Sequence, residues 1–165
     1  MIVKKIAMAG AYGVGKTSLV KRFVESIFDE RYLTTVGVKV DKKKLSVAGR
    51  DLTLMIWDLA GEDEFTALRL SYLRGASGYL LVMDGCRRST FTKAAELQQR
   101  IASEFGPLPF LAVINKSDIA AAWEYTRADV DALGWPVVET SAKSGGGVDG
   151  MFASIAAQTM RDCDD

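Results

Sequence analysis

The chain has 165 residues, with 21 lysines and arginines against 21 aspartates and glutamates, and it contains no histidine. This length suits one domain over residues 1–165, and zero net charge gives no reason to expect nucleic-acid binding. The lack of histidine excludes an imidazole base, and two cysteines are too few for a disulfide framework or a cysteine metal site. No signal peptide or long apolar span is evident, so a cytoplasmic protein is expected.

Apolar runs alternate with helix-spaced patterns along the chain. Strands are predicted, in chain order, at residues 2–9, 36–40, 52–56, 78–83, 110–114 and 136–138. The turn near Ala48-Gly49-Arg50 predicts a hairpin between the second and third strands. Amphipathic helices are predicted at residues 16–24, 91–105 and 148–159. This alternation predicts a three-layer α/β domain.

A phosphate-binding loop is predicted directly after the first strand. The run Gly10-Ala11-Tyr12-Gly13-Val14-Gly15-Lys16-Thr17 matches G-x-x-x-x-G-K-[ST]. Its glycines let backbone N–H groups converge on phosphate oxygens, and the following helix adds the positive end of its dipole. Lys16 would place a positive charge at the outer phosphates, and the Thr17 hydroxyl is placed to bind Mg²⁺. A nucleoside triphosphate site is therefore predicted here.

A second motif, Asn115-Lys116-Ser117-Asp118, indicates which base is bound. It follows the apolar run at residues 110–114, at the end of a strand where open α/β sheets place ligands. The Asp118 carboxylate can accept two hydrogens from one planar partner, and guanine offers two adjacent donors whereas adenine does not. Asn115 can bond the other edge of the base and tie loops together, and the Lys116 stem can lie across the ring. Guanine nucleotide is therefore the predicted ligand.

The motifs occur in the order seen in the Ras superfamily of small GTPases, and nearly the whole chain resembles that family, closest to its Rab-like branch. Thr34-Thr35-Val36-Gly37 resembles the first switch, Trp57-Asp58-Leu59-Ala60-Gly61-Glu62 resembles W-D-T-A-G-Q, and Glu139-Thr140-Ser141-Ala142-Lys143 resembles E-T-S-A-K. The resemblance implies a six-stranded, mostly parallel sheet with one antiparallel edge hairpin. It also implies GTP or GDP with Mg²⁺ as cofactors, and a molecular switch that hydrolyses GTP slowly.

The resemblance assigns roles to individual residues of this chain. The implied nucleotide-binding residues are Gly13, Val14, Gly15, Lys16, Thr17, Ser18, Phe28, Tyr32, Thr35, Gly61, Asn115, Lys116, Asp118, Ser141, Ala142 and Lys143. The implied metal-binding residues are Thr17, Thr35 and Asp58, and the catalytic candidates are Lys16, Gly61 and Glu62. Phe28 would stack on guanine, the Gly61 amide would reach the terminal phosphate, and the Ala142 amide would contact the base. The segments around Thr35 and Gly61 would bind effector, exchange-factor and activating proteins, and a monomer is expected.

Two positions depart from the family pattern. Glu62 stands where most relatives have a glutamine that orients the attacking water, and a carboxylate can accept a proton from that water but cannot donate to it. Tyr12 stands where relatives have a small residue, beside the space used by an activator's arginine. Arg31, Arg69 and Arg74 do not occupy positions that the family uses for such an arginine. Slow intrinsic hydrolysis is expected, with a GTP-binding scaffold as the alternative.

Several other features allow more than one interpretation. Lys42-Lys43-Lys44 is interpreted as a solvated strand edge rather than a membrane or nucleic-acid patch. Trp57 is either a partner-binding anchor or a half-buried strand residue, and Trp123 and Trp135 are interpreted as packing residues. The ending Cys163-Asp164-Asp165 is not a C-a-a-X motif, so no lipid anchor is implied. A small nucleotide kinase is disfavoured because we find no acceptor site and no arginine-bearing lid.

Overall fold

A computed structural model describes residues 2–25, 38–59 and 70–161. The strands are β1 (Ile2–Gly10), β2 (Val38–Val47), β3 (Arg50–Leu59), β4 (Gly78–Asp84), β5 (Phe110–Asn115) and β6 (Val137–Thr140). The α-helices in these ranges are α1 (Lys16–Glu25), α2 (Arg88–Phe105), α3 (Arg127–Asp131) and α4 (Val148–Arg161), and short 3-10 helices lie at Ser71–Leu73 and Ser117–Ala122. The predicted alternation of strand and helix is therefore confirmed.

The six strands form one sheet in the order β2-β3-β1-β4-β5-β6. Only the β2–β3 pair is antiparallel, and its two-residue turn uses Ala48 and Gly49 at φ 51° and 79°, the left-handed pair that suits a tight hairpin. The other pairs are parallel, so the carboxyl ends of β1, β3, β4, β5 and β6 meet at one edge. The predicted six-stranded sheet with one antiparallel edge hairpin is confirmed.

The core consists of two apolar clusters, one on each face of the sheet. Alternation along β1 divides them, because Ile6 and Met8 point to one face while Ala7 and Ala9 point to the other. The first cluster packs α1 and α4, including a stacked Phe23–Phe152 pair whose ring centroids lie 4.1 Å apart. The second cluster packs α2 and α3. Helices on both faces make the predicted three layers.

The structure refines some predicted elements. Val36 lies outside the described residues. Val40 is 40% exposed, so the valines that alternate along β2 do not all form a buried face. The last strand begins at Val137 and ends at Thr140, two residues beyond its predicted end. The helix α3 was not predicted because five residues are too short for a periodic pattern. Its sequence signal is a capping box in which the Thr126 amide donates to Asp129 Oδ2 at 2.8 Å.

Candidate nucleotide-binding site

The loop between β1 and α1 has the backbone conformation that its glycines permit. Gly13 and Gly15 have φ of 75° and 102°, in the left-handed region that favours glycine. A Cβ at Gly15 would collide with the side-chain amide nitrogen of Asn115, so only glycine allows this close approach. The Val14 side chain is buried, Gly13 is exposed, and Ser18 is half-buried in the first turn of α1. The loop therefore presents its backbone at the carboxyl edge of the sheet.

Lys16 lies inside this loop rather than extended into solvent. Its side chain is only 5% exposed, and Nζ donates to the carbonyl oxygens of Gly10 at 3.1 Å and Ala11 at 3.0 Å. These two acceptors hold the ammonium at the start of α1, beside the helix N-terminus. The site therefore contains a fixed positive charge together with the positive end of a helix dipole, a combination that binds phosphate groups.

Thr17 and Asp58 meet at the start of α1 and the end of β3. The Thr17 hydroxyl donates to Asp58 Oδ2 at 2.6 Å, and Asp58 is fully buried beside β1. A hydroxyl and a carboxylate are hard oxygen donors of the kind that Mg²⁺ prefers, so this pair fits a magnesium ion. The described residues contain no group of three or more His, Cys, Asp or Glu side chains that could hold a metal alone. The pair therefore suits an ion that takes its remaining ligands from phosphate and water.

Asn115 connects three segments of the site. Its Nδ2 donates to the Val14 carbonyl at 3.0 Å, and its Oδ1 accepts from the Thr140 hydroxyl at 3.2 Å and from the Ala142 amide at 3.3 Å. The phosphate loop, β5 and the loop after β6 are thereby tied together through one buried amide. The predicted loop-tying role of Asn115 agrees with this geometry, while a contact between the Ala142 amide and guanine stays a prediction.

The Asp118 carboxylate lies at the surface beside the loop after β6. Its Oδ1 accepts from the buried Ser141 hydroxyl at 2.8 Å, and the Ser141 hydroxyl in turn accepts from the Ser144 amide at 3.0 Å. These bonds fix one carboxylate oxygen while the residue as a whole remains exposed. The neighbouring Lys143 is also exposed, and its carbonyl accepts from Arg22 at 3.5 Å. A carboxylate oriented in this way can accept hydrogens from a planar donor edge such as that of guanine.

A model of the Ras family matches residues 5–161, nearly the whole chain. The chain belongs to the Ras family. It is therefore a GTP-binding small GTPase of a family that binds guanine nucleotide and hydrolyses GTP. In the part of this GTPase that the structure describes, no helix is long and apolar enough to cross a membrane.

The described residues bring together one part of the predicted site. Lys16, Thr17, Asp58, Asn115 and Asp118 all lie at the carboxyl edge of the sheet, with Ser141 and Ala142 beside them. Five of the predicted site residues fall outside the described ranges: Phe28, Tyr32, Thr35, Gly61 and Glu62. Their roles in this GTPase stay predictions.

Asp84, a buried acid at the end of β4, was not predicted as a site residue from the sequence. Burial alone would raise its pKa, but hydrogen bonds from Lys116, the Cys86 amide and Arg87 outweigh burial, so the pKa of Asp84 is lowered. Lys116 has left-handed backbone, with φ of 75°, and its Nζ lies 2.8 Å from Asp84 Oδ2. A sequence signal exists, since Asp84 is the single charged residue ending an otherwise apolar strand at the ligand-binding edge.

Trp123 does more than the packing role predicted for it. Its indole Nε1 donates to the Lys116 carbonyl at 2.9 Å, and its ring lies so close to Gly85 that a Cβ there would collide with it. The ring thus supports the left-handed backbone of Lys116. Among the described residues, the Trp135 ring packs against Phe91 and Phe110, which agrees with the packing role predicted for it.

Replacing Gly15 with alanine is expected to destabilise the protein by about 2–4 kcal/mol. Left-handed backbone costs an alanine about 1–2 kcal/mol, and the new Cβ would also displace the Asn115 amide from the Val14 carbonyl. Gly49→Ala is the matched control, because Gly49 has φ of 79° but nothing lies within 4 Å of its added Cβ. Urea unfolding of both variants measures the difference, and equal losses of stability would contradict the proposed clash.

Proposed function

We propose that this chain is a guanine-nucleotide switch that binds GTP and GDP with Mg²⁺ and hydrolyses GTP slowly. The observation that carries the proposal is the link made by Asn115, which bonds the phosphate loop at Val14 and the loop after β6 at Ala142, next to the Ser141–Asp118 pair. The phosphate loop and the Asp118 carboxylate, which would accept hydrogens from the base, are thus held at a fixed separation. Residues 1–165 would act as one domain, which the family match over 5–161 and the continuous sheet support.

Different residues of the site would bind the phosphates and the magnesium ion. Lys16 would neutralise the outer phosphates, since its ammonium is held at the helix N-terminus by two carbonyl oxygens. Thr17 and Asp58 would hold Mg²⁺, and Thr35 would join them when a terminal phosphate is present. When bound, the ion neutralises charge on phosphate oxygens. Phosphoryl transfer needs positioning and charge stabilisation more than covalent chemistry, so such a site suffices for slow hydrolysis.

Partner proteins would bind at the segments around Thr35 and Gly61. The end of β3 supports this proposal, because the half-buried Trp57 ring lies there with Lys5 Nζ 3.9 Å from its centroid and the Tyr72 ring 6.2 Å away. An aromatic surface with one cation suits recognition by effectors and regulators. A Rab-like affiliation and a monomeric state belong to the same proposal.

The bound nucleotide is the first test of the proposal. Chromatography after mild denaturation of the purified protein should release GDP or GTP, and titration should show a strong preference for guanine over adenine nucleotides. Equal affinity for ATP and GTP would contradict the assignment of guanine, because Asp118 would then not be reading the base.

The rate of hydrolysis is the second test. Single-turnover phosphate release from GTP-loaded protein should proceed at a rate on the order of 10⁻⁴–10⁻³ s⁻¹. The rate is this low because the assay contains no activator, whose arginine accelerates hydrolysis by about 10³–10⁵. Glu62→Gln should change this rate more than Glu64→Gln, a control that removes the same charge two residues away. No release above the uncatalysed background would favour the GTP-binding scaffold, the alternative that Glu62 and Tyr12 suggest.

A further inference from the structure

Asp84 accepts hydrogen bonds from two cations that belong to different parts of the nucleotide site. It is 1% exposed and lies beside Asn115, its partner in the parallel register of β4 and β5. Its Oδ2 accepts from Arg87 Nε at 3.1 Å and from Lys116 Nζ at 2.8 Å, while Oδ1 accepts from the Cys86 amide at 2.9 Å. The carboxylate is therefore shared between the turn after β4 and the guanine-specificity motif.

Arg87 also reaches the phosphate loop. Its Nη2 donates to the Tyr12 carbonyl at 2.8 Å, while Nε keeps its bond to Asp84. A guanidinium is a rigid planar group with donors in several directions, so it can hold two acceptors in fixed relation, which an ammonium on a flexible stem cannot do as well. A chain of three polar contacts thus connects the Tyr12 carbonyl, through Arg87 and Asp84, to Lys116.

The turn that carries Arg87 is itself held on several sides. The Asp84 carbonyl accepts from the Tyr125 hydroxyl at 3.0 Å and from the Thr90 hydroxyl at 3.1 Å. The Glu124 carboxylate accepts from the Arg88 amide at 2.8 Å, at the start of α2. Because these bonds fix the turn, Arg87 can hold the phosphate loop in a fixed position through the Tyr12 carbonyl.

The Tyr12 carbonyl belongs to the same peptide unit as the Gly13 N–H. A trans peptide is planar and its C=O and N–H point in opposite directions. A carbonyl held toward Arg87 therefore directs the Gly13 N–H away from Arg87. This amide is one of the donors by which a phosphate loop binds its ligand, and glycine at φ 75° has little intrinsic preference for that orientation.

We infer that Arg87 is a positioning residue that orients the Gly13 amide for nucleotide phosphate and, through Asp84, ties the phosphate loop to Lys116. The inference rests on the proposed nucleotide-binding function and adds a residue to it. Arg87 need not contact nucleotide, since its effect passes through the Tyr12 carbonyl. Its loss should speed nucleotide release.

The test measures release of a fluorescent GDP analogue from the full chain. Arg87→Ala should accelerate release about tenfold to a hundredfold. This is the range expected when the charge-assisted hydrogen bond from Arg87 to the Tyr12 carbonyl is lost. Arg87→Lys should recover only part of this loss, because a lysine cannot hold both acceptors in the same relation. Arg88→Ala is the matched control, since its side chain has no hydrogen bond or ion pair with the described residues, and it should stay within about twofold of wild type.

A second readout separates positioning from general destabilisation. Amide hydrogen exchange of the GDP-bound protein should rise at residues 10–15 in Arg87→Ala and stay unchanged at β5. Wild-type release by a folded Arg87→Ala variant would overturn the inference, as would equal acceleration by Arg88→Ala. Failure of the guanine assignment would look different, because wild-type protein would then hold the ADP analogue as tightly as the GDP analogue, and the Arg87 effect could be measured with either.

Discussion

Asp118→Asn is expected to weaken GTP binding about 10²- to 10⁴-fold and to improve binding of xanthine nucleotides. The Asp118 carboxylate would accept two hydrogen bonds from guanine, and bonds to a charged group contribute about 1.5–3 kcal/mol each. Asparagine offers one acceptor and one donor, which matches xanthine because its edge exchanges a donor for an acceptor. Ser141 can still donate to the remaining side-chain oxygen, so the loop after β6 should keep its position.

Isothermal titration with GTP, xanthosine triphosphate and ATP measures this change of preference. Asp149→Asn is the control, since Asp149 is another exposed aspartate, in the first turn of α4, and the substitution should leave all three affinities within about twofold. An Asp118→Asn variant that binds GTP as tightly as wild type would show that another group reads the base.

The sequence predicted the parts of the site that lie within continuous motifs. Lys16, Thr17, Asn115 and Asp118 have spacings fixed by the local geometry of a strand, a loop and a helix, so their placement at the carboxyl edge of the sheet could be predicted. The hairpin turn at Ala48 and Gly49 was predictable for the same reason.

Contacts that depend on strand register were not predictable. Asp84 meets Lys116 because β4 and β5 pair with Asp84 opposite Asn115, and no local pattern fixes that alignment. Arg87 meets Tyr12 across 75 positions of sequence, and Trp123 reaches the Lys116 carbonyl only through the 3-10 turn between them. Arginine and tryptophan in such segments usually suggest a solvated charge and a packed ring, and both have further roles here.

Lys16→Met is expected to abolish most nucleotide binding while leaving a folded protein. Methionine keeps much of the stem volume but cannot donate, so the Gly10 and Ala11 carbonyls lose one donor. The loss of each of these two hydrogen bonds costs about 1–3 kcal/mol in a buried site, and removal of a buried ammonium offsets part of that cost. Nucleotide affinity should fall about 10²- to 10⁴-fold, because two charge-assisted bonds to phosphate would be lost.

Thermal unfolding with and without GDP separates the two effects of Lys16→Met. At a GDP concentration about a thousand times the wild-type Kd, binding stabilises wild type by about 4 kcal/mol, and a variant with 10³-fold weaker binding would gain less than about 1 kcal/mol. Lys21→Met, on the same helix and half-buried, should keep the full GDP-dependent shift in Tm. If Lys16→Met keeps that shift as well, its ammonium does not bind phosphate. The carbonyl oxygens of Gly10 and Ala11 would then hold Lys16 only as a structural cation within the loop.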